Sequence, residues 1–273
     1  MDEMIIVTLT SYGKRMANIP QVVDTILSQT IRPDLIVINI ADDELVPSDV
    51  MDYLTKNSVE VNRVEDTKVY KKLIPTLRKY PKACVITIDD DFLYPNNMIS
   101  EFISMHQRYP EYPLSGNRVI YEGMQCHCGC ASLTKAAFWG DYLYQIDDEI
   151  INHCPSDDLL YTFISTKAGH PYLQTENEYF INMESCYDDV ENSYSKLIDG
   201  EKGIKDTFVY LVRRFGPIED VFSLYEKDCH VGRVLQCIHQ SIVSETEKRI
   251  RASRSYRLGK FLLAPLSWLK RIG

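Results

Sequence analysis

The sequence predicts an α/β fold with a mostly parallel sheet flanked by helices, and three observations support this prediction. Four short runs rich in β-branched residues occur within the first ninety residues, and helix-like segments separate them. This alternation requires crossover connections, which make successive strands parallel. Polar residues also follow three of these strands, at the edge where open α/β sheets bind ligands. The 273 residues accommodate one such domain with an extension.

The predicted elements follow one another along the chain in a regular order. The strands are predicted at residues 4–9, 35–40, 59–64 and 83–88, with a further strand at 118–123. The helices are predicted at 19–29, 49–56, 71–80, 96–109, 135–144 and 155–168. Residues 204–251 are mainly helical by pattern. We therefore divide the chain into an α/β domain (1–200), a C-terminal helical extension (201–252) and a basic amphipathic tail (253–273).

The charge of the chain is unevenly distributed. The net charge is -9, but residues 248–273 contain eight Lys and Arg and no acid, which leaves -17 on the remainder. An acidic body disfavours nonspecific binding of nucleic acid. The tail combines cations with leucine and aromatic residues, which is typical of a helix lying on an anionic membrane surface. The alternative is a terminal helix that packs on the protein's own core.

The apolar segments indicate a cytoplasmic location. The first apolar run is short and follows two acids, unlike a secretory signal, and no run reaches the roughly 18–20 residues that span a bilayer. We expect a cytoplasmic protein, peripheral on the inner face of the membrane, with its eight cysteines as thiols. The stretch Cys126-His127-Cys128-Gly129-Cys130 lacks the Cys-x₂-Cys spacing of a zinc knuckle, so structural thiols are favoured there.

An acidic triplet, Asp89-Asp90-Asp91, follows the fourth predicted strand. Carboxylates at positions i and i+2 after a strand project toward one face of the turn, and such oxygen ligands suit Mg²⁺ or Mn²⁺. The alternative is that one acid caps the following helix. Three consecutive carboxylates repel one another without a cation, which favours the metal site.

The order of these motifs resembles that of bacterial GT-A glycosyltransferases of the family-2 kind, over about residues 4–170. The motifs are Thr8-Leu9-Thr10-Ser11-Tyr12, the acidic end of strand two, Lys72-Leu73-Ile74-Pro75, and Ile88-Asp89-Asp90-Asp91 with Tyr94-Pro95. The resemblance implies a GT-A (Rossmann-like) catalytic domain that moves a sugar from a nucleotide-diphosphate sugar to a glycan or lipid-linked acceptor. The implied setting is bacterial surface polysaccharide synthesis. The chain has no Gln-x-x-Arg-Trp motif, so a non-processive enzyme is implied.

The same resemblance implies roles for individual residues. Asp89 and Asp91 would bind the metal and the donor diphosphate, and Asp90 would lie near the donor ribose or sugar. The remaining donor-binding residues implied are Thr8, Thr10, Ser11 and Tyr12 for base and ribose, Asp42 for the base, and Lys72 for the phosphates. On spacing alone, Lys71 is an equal alternative to Lys72.

A second acidic pair, Asp157-Asp158, opens the helix predicted at 155–168. An inverting transfer needs a base for the acceptor hydroxyl. The resembling enzymes carry that acid at the start of a helix, so the resemblance implies that either residue fits this role. The competing interpretation is a helix N-cap. Because one acid can cap while the other stays free, we favour Asp158 as the base.

Two other classes of function remain open. A metal-dependent phosphohydrolase also uses Asp-x-Asp, but after the first strand and with a hydroxyl residue two positions on, where this chain has Leu93. A noncatalytic glycan- or membrane-binding module does not require the second acidic pair.

Overall fold

The structure is a computed structural model that describes residues 3–116, 119–121, 124–175, 184–185, 200–218 and 224. Apart from Leu224, these residues belong to one compact unit, Met1–Val221. The predicted basic tail (253–273) and most of the predicted helical extension (201–252) lie outside the described residues. Within the described part of the chain, no helix is long and apolar enough to cross a bilayer.

A seven-stranded mixed sheet forms the centre of the fold. In spatial order its strands are Leu173–Gln174 (β10), Leu114–Ser115 (β6), Ala131–Thr134 (β9), Cys84–Ile88 (β4), Ile5–Thr10 (β1), Leu35–Ala41 (β2) and Glu60–Val64 (β3). The strand β1 pairs in parallel with β2 and β4, and β2 pairs in parallel with β3. The strand β9 is antiparallel to both β4 and β6. The predicted mostly parallel sheet is confirmed.

The other elements connect and cover this sheet. The helices are Ile19–Leu27 (α1), Ser48–Lys56 (α2), Ile74–Lys79 (α3), Met98–Arg108 (α4), Asp148–His153 (α5), Asp157–Lys167 (α6) and Gly200–Phe215 (α7). Two short ribbons pair Phe92–Leu93 (β5) with Glu184–Ser185 (β11), and Ile120–Tyr121 (β7) with Met124–Gln125 (β8). Because helices cover the central strands, β1 and β4 are almost continuously apolar and buried.

The structure differs from the sequence prediction where 3₁₀ segments replace α-helix. The predicted helix 71–80 is a 3₁₀ turn, Lys68–Lys72, followed by α3, and Pro75 stands in the first turn of α3, where its missing N–H costs no bond. The predicted helix 135–144 is two 3₁₀ segments, Ala136–Phe138 and Gly140–Gln145. They meet at Gly140, whose φ of +53° suits glycine.

A buried polar network fixes the backbone of Lys72 above β1 and β2. The amide of Asn39, in β2, donates to Lys72 O at 3.2 Å, to Thr76 Oγ1 at 2.8 Å and to Thr8 Oγ1 at 3.1 Å. The Thr8 hydroxyl, in β1, donates to Lys72 O at 2.8 Å. The side chains of Thr8, Asn39 and Thr76 are fully buried. The network therefore gives the Lys72 carbonyl hydrogen-bond donors in a place where water cannot supply them.

We expect Thr8→Val to lower the free energy of unfolding by about 1–2 kcal/mol, because valine keeps the shape but leaves Lys72 O with one donor fewer. Urea unfolding measures this loss. Thr55→Val is the matched control, since the Thr55 hydroxyl donates to Met51 O on the exposed face of α2. An equal loss in both variants would contradict the role given to the network.

Candidate functional site

The predicted acidic triplet lies at the carboxyl edge of the sheet, directly after β4. The loop after β1 and the 3₁₀ turn before α3 approach the same edge and bring two cations, Arg15 and Lys72, to the triplet. The structure therefore assembles carboxylates and cations from three separate parts of the sequence.

The Lys72 side chain is 9% exposed and contacts the first acid of the triplet. Its Nζ lies 2.5 Å from Asp89 Oδ1 and donates to Gly129 O at 3.3 Å. Burial lowers the pKa of Lys72, but the carboxylates of Asp89 and Asp157 outweigh burial and raise it above the ordinary value. Lys72 is therefore a permanent cation of the site, whereas Lys71 pairs with Asp66 at 2.8 Å.

The middle acid, Asp90, is held by the loop that follows β1. Its Oδ2 accepts from Ser11 Oγ at 2.6 Å and from Arg15 Nε at 3.1 Å, and Arg15 Nη2 contacts Oδ1. Arg15 Nη2 also lies 2.8 Å from Asp91 Oδ2. Arg15 was not among the predicted site residues, although a Lys-Arg pair in the loop after the first strand of an acidic domain is a visible signal.

Asp91 carries an oxygen that has no ligand among the residues that the structure describes. Its Oδ1 is buried and has no hydrogen-bond partner among the described residues. Burial raises the pKa of Asp91 to about 6, and repulsion from Asp89 adds to this rise while Arg15 opposes it. A buried carboxylate oxygen without a donor is costly, and a cation would relieve that cost.

The second acidic pair faces this cluster from the start of α6. Asp158 Oδ1 accepts from the amide of Gly129 at 2.9 Å, and burial followed by repulsion from Asp157 raises the pKa of Asp158 well above its usual range. Burial also raises the pKa of Asp157, whose Oδ2 has no partner within the described part of the chain. Ser156, rather than either acid, occupies the N-cap position of α6.

Gly129 allows Lys72 and Asp158 to approach each other across the loop after β8. A Cβ added to Gly129 would lie 2.7 Å from Lys72 Nζ and 3.5 Å from Asp158 Oδ1. The flanking Cys128 and Cys130 are buried, with their sulfur atoms 2.9 Å apart. Among the residues that the structure describes, the cysteines of this loop form no three-ligand group that could hold a metal ion.

A cavity of about 570 Å³ lies at the carboxyl ends of β1 and β2, and its lining residue Tyr12 has its ring centroid 5.7 Å from the Arg15 guanidinium of the cluster. Its lining consists of Thr10, Tyr12, Ala41, Asp43, Glu44, Leu45, Asp66, Lys68, Val69 and Lys71. Tyr12 is 48% exposed and offers an aromatic face. The lining contains Asp43, whereas the predicted base-binding residue Asp42 is exposed and lies outside it.

Apart from Asp42, the predicted site residues therefore fall into three groups. Asp89, Asp90, Asp91, Lys72, Asp157 and Asp158 form one electrostatic cluster. Thr10 and Tyr12 line the neighbouring cavity. Thr8 and Ser11 are fully buried and bond within the protein, so the structure does not bring their hydroxyls to the cavity.

Comparison with known proteins identifies the fold. No protein-family model matches the chain, and no curated protein matches it. The mannosyltransferase PcManGT from Pyrobaculum calidifontis, solved with GDP-Man and Mn²⁺, is similar with a TM-score of 0.53 at 13% identity, over 95% of this chain and 84% of that one. S. aureus TarS 1-349 in complex with UDP has a TM-score of 0.47 at 10% identity, over 64% and 59%. The chain has the GT-A (Rossmann-like) α/β fold, as the sequence predicts.

The raised pKa of Asp91 predicts a specific dependence of stability on pH. The folded pKa of about 6 exceeds the ordinary 3.8, so the stabilisation is complete below pH 3.8 and is lost as pH rises through 6. Relative to Asp91→Asn, wild type should lose about 2 kcal/mol of unfolding free energy between pH 4 and 7, measured by urea unfolding in a chelator. The exposed control Asp141→Asn should follow wild type. Parallel curves for wild type and Asp91→Asn would contradict this assignment.

Proposed function

We propose that the protein is a metal-dependent glycosyltransferase that moves a sugar from a nucleotide-diphosphate sugar onto an acceptor hydroxyl. The observation that carries this proposal is the convergence of two acidic groups, Asp89–Asp91 and Asp157-Asp158, around Lys72 beside a cavity. The likeness of the fold to a mannosyltransferase solved with GDP-Man and Mn²⁺ supports it. Both acidic groups lie at the carboxyl edge of the sheet, which is the edge where open α/β sheets bind nucleotides.

The residues at the triplet fit a divalent cation. Asp89 and Asp91 supply oxygen ligands, and the buried Asp91 Oδ1 is without a partner among the described residues. Mg²⁺ and Mn²⁺ bind through one or two carboxylates and take further oxygens from substrate phosphates and water, so two aspartates suffice. When bound, such an ion would stabilise the negative charge that develops on the leaving diphosphate.

The cations of the chain complete the donor site. Lys72 stays protonated and is held by its backbone and by Asp89, so its ammonium can donate to a phosphate oxygen at little conformational cost. Arg15 neutralises the buried Asp90 and fixes the orientation of Asp91. In the adjoining cavity, Tyr12 would stack on the base, while Thr10 and Asp43 would bind its polar edges and the ribose. Asp43 would thus take the role predicted for Asp42, which lies outside the cavity lining.

The second acidic pair supplies the base for the acceptor. The raised pKa makes Asp158 a stronger proton acceptor than an ordinary aspartate, and the Gly129 amide orients its carboxylate. Asp158 would take the proton of the acceptor hydroxyl as the oxygen attacks the anomeric carbon. The bond from that carbon to the diphosphate oxygen breaks at the same time, which inverts the anomeric configuration. Asp157 is the alternative base.

The kind of acceptor and the biological pathway are inferred from the sequence resemblance. We infer a single, non-processive addition to a glycan or lipid-linked acceptor in bacterial surface polysaccharide synthesis. An acceptor of this kind would make a membrane-associated C-terminal tail useful, and that tail lies outside the described residues.

Donor binding should require both the ion and the triplet. A nucleoside diphosphate, tested as UDP and GDP, should raise the melting temperature with Mn²⁺ and not with a chelator, because ligands stabilise the folded state that binds them. Asp89→Asn and Asp91→Asn should each remove most of this shift, while the exposed control Asp141→Asn should keep it. A shift that persists in a chelator or in the triplet variants would show that the nucleotide binds elsewhere or without an ion.

Catalysis should be separable from donor binding at Asp158. Asp158→Asn keeps an oxygen for the Gly129 amide, so we expect the Mn²⁺-dependent shift to remain while turnover falls about 10²- to 10⁴-fold. Transfer to an acceptor is measured beside donor hydrolysis. Asp157→Asn is compared in parallel, and a larger loss there would reassign the base. Unchanged turnover in both variants and in the double variant would favour a noncatalytic binding module.

A further inference from the structure

A second group of metal-ligand side chains lies at the opposite edge of the sheet. Glu3 precedes β1, Cys84 begins β4 and His106 lies in the last turn of α4. Cys84 and Asp89 are five positions apart on an extended chain, which corresponds to about 16 Å. The group is therefore distinct from the acidic triplet, and the proposed function does not use it.

The three ligand atoms are close enough to share one ion. Glu3 Oε2 accepts from Cys84 Sγ at 3.0 Å and lies 3.5 Å from His106 Nε2, and all three atoms lie within 4.8 Å of one another. Tetrahedral zinc with bonds of about 2.0–2.3 Å places its ligands about 3.3–3.6 Å apart. Small side-chain adjustments would convert the observed arrangement into that geometry.

The surroundings also suit a metal site. Cys84 and His106 are almost completely buried, whereas the Glu3 side chain is 33% exposed and leaves a route for an ion and a water molecule. Lys135 Nζ binds the other oxygen of Glu3, Oε1, at 2.6 Å. This contact orients the Glu3 carboxylate so that Oε2 faces the Cys84 sulfur and the His106 imidazole. Residues that hydrogen-bond to metal ligands orient them in the same way.

The donor set selects the kind of ion. Thiolate, imidazole and carboxylate together favour zinc over Mg²⁺ or Ca²⁺, which prefer oxygen alone. We propose that Glu3, Cys84 and His106 form a zinc site, with a water molecule as the fourth ligand, that joins the segment before β1 to β4 and α4. Binding releases one proton, because Cys84–SH and Zn²⁺ give a Cys84 thiolate–zinc bond and H⁺.

Spectroscopy with Co²⁺ in place of zinc tests this site in the full chain. Metal-free protein should take up Co²⁺ with a thiolate-to-cobalt charge-transfer band, and one equivalent of Zn²⁺ should remove the band. The triplet double variant Asp89→Asn/Asp91→Asn should keep the band, because carboxylates alone do not produce it. Loss of the band in that variant would overturn the proposal, as would its absence from wild type.

Variants of the cluster provide the second test. Cys84→Ser should abolish the charge-transfer band, and His106→Gln and Glu3→Gln should each weaken zinc binding at least about tenfold in competition with a chromophoric chelator. Cys154→Ser, which removes a buried thiol outside the group, should keep both the band and the affinity. Zinc at a hundredfold excess over its dissociation constant should raise the melting temperature of wild type by about 5 °C.

Two results would overturn the zinc site. One is a wild-type protein that binds no stoichiometric zinc. Glu3 and Lys135 would then be a simple ion pair, in which the Glu3 carboxylate accepts a hydrogen bond from the Cys84 thiol. The other is an unchanged affinity in Glu3→Gln and His106→Gln. Neither result bears on donor binding, which is measured separately with Mn²⁺ and nucleoside diphosphates.

Discussion

The contact between Lys72 and Asp89 is the interaction on which the rest of the site depends. Five carboxylates from two segments gather at one edge of the sheet, and burial raises the pKa of Asp91, Asp157 and Asp158. Only nearby cations make such a concentration of negative charge tolerable in a folded protein. Lys72 faces both acidic groups, and Arg15 compensates the buried Asp90. The remaining negative charge suits a divalent ion and, through it, a diphosphate.

Three features of the fold bring these charges together: the shared edge of the parallel strands, a buried polar network and a glycine. Parallel strands end at the same edge, so the loops after β1 and β4 meet without any long connection. The buried Asn39 amide and Thr8 hydroxyl hold the Lys72 carbonyl, so the lysine is fixed through its backbone as well as through its charge. On the other side, Gly129 brings a backbone amide to Asp158 where an added Cβ would lie 2.7 Å from Lys72 Nζ and would displace that ammonium. The charged side chains are thus positioned by hydrogen bonds that connect loops to the sheet and to α6.

The sequence predicted the parallel half of the sheet and the acidic residues because both depend on local patterns. Apolar runs ending in Asp89 or Asp42 identify strand ends directly. The antiparallel strand Ala131–Thr134 escaped prediction, since its small and polar residues show no apolar run and become buried only through pairing with β4 and β6. Arg15 and Gly129 were not predicted for a related reason, because their roles arise from contacts between distant parts of the chain. Arg15 contacts Asp90, 75 positions away, and Gly129 contacts Lys72, 57 positions away.

The most direct test of the account is the anomalous scattering of manganese in a crystal of the protein with a nucleoside diphosphate. We expect one strong peak at the carboxyl edge of the sheet, from a manganese ion that binds carboxylate oxygens of Asp89 and Asp91 and the diphosphate. Lys72 should contact the same diphosphate. A nucleotide bound with no manganese beside these two aspartates, while Lys72 and Arg15 keep their present partners, would contradict the central claim.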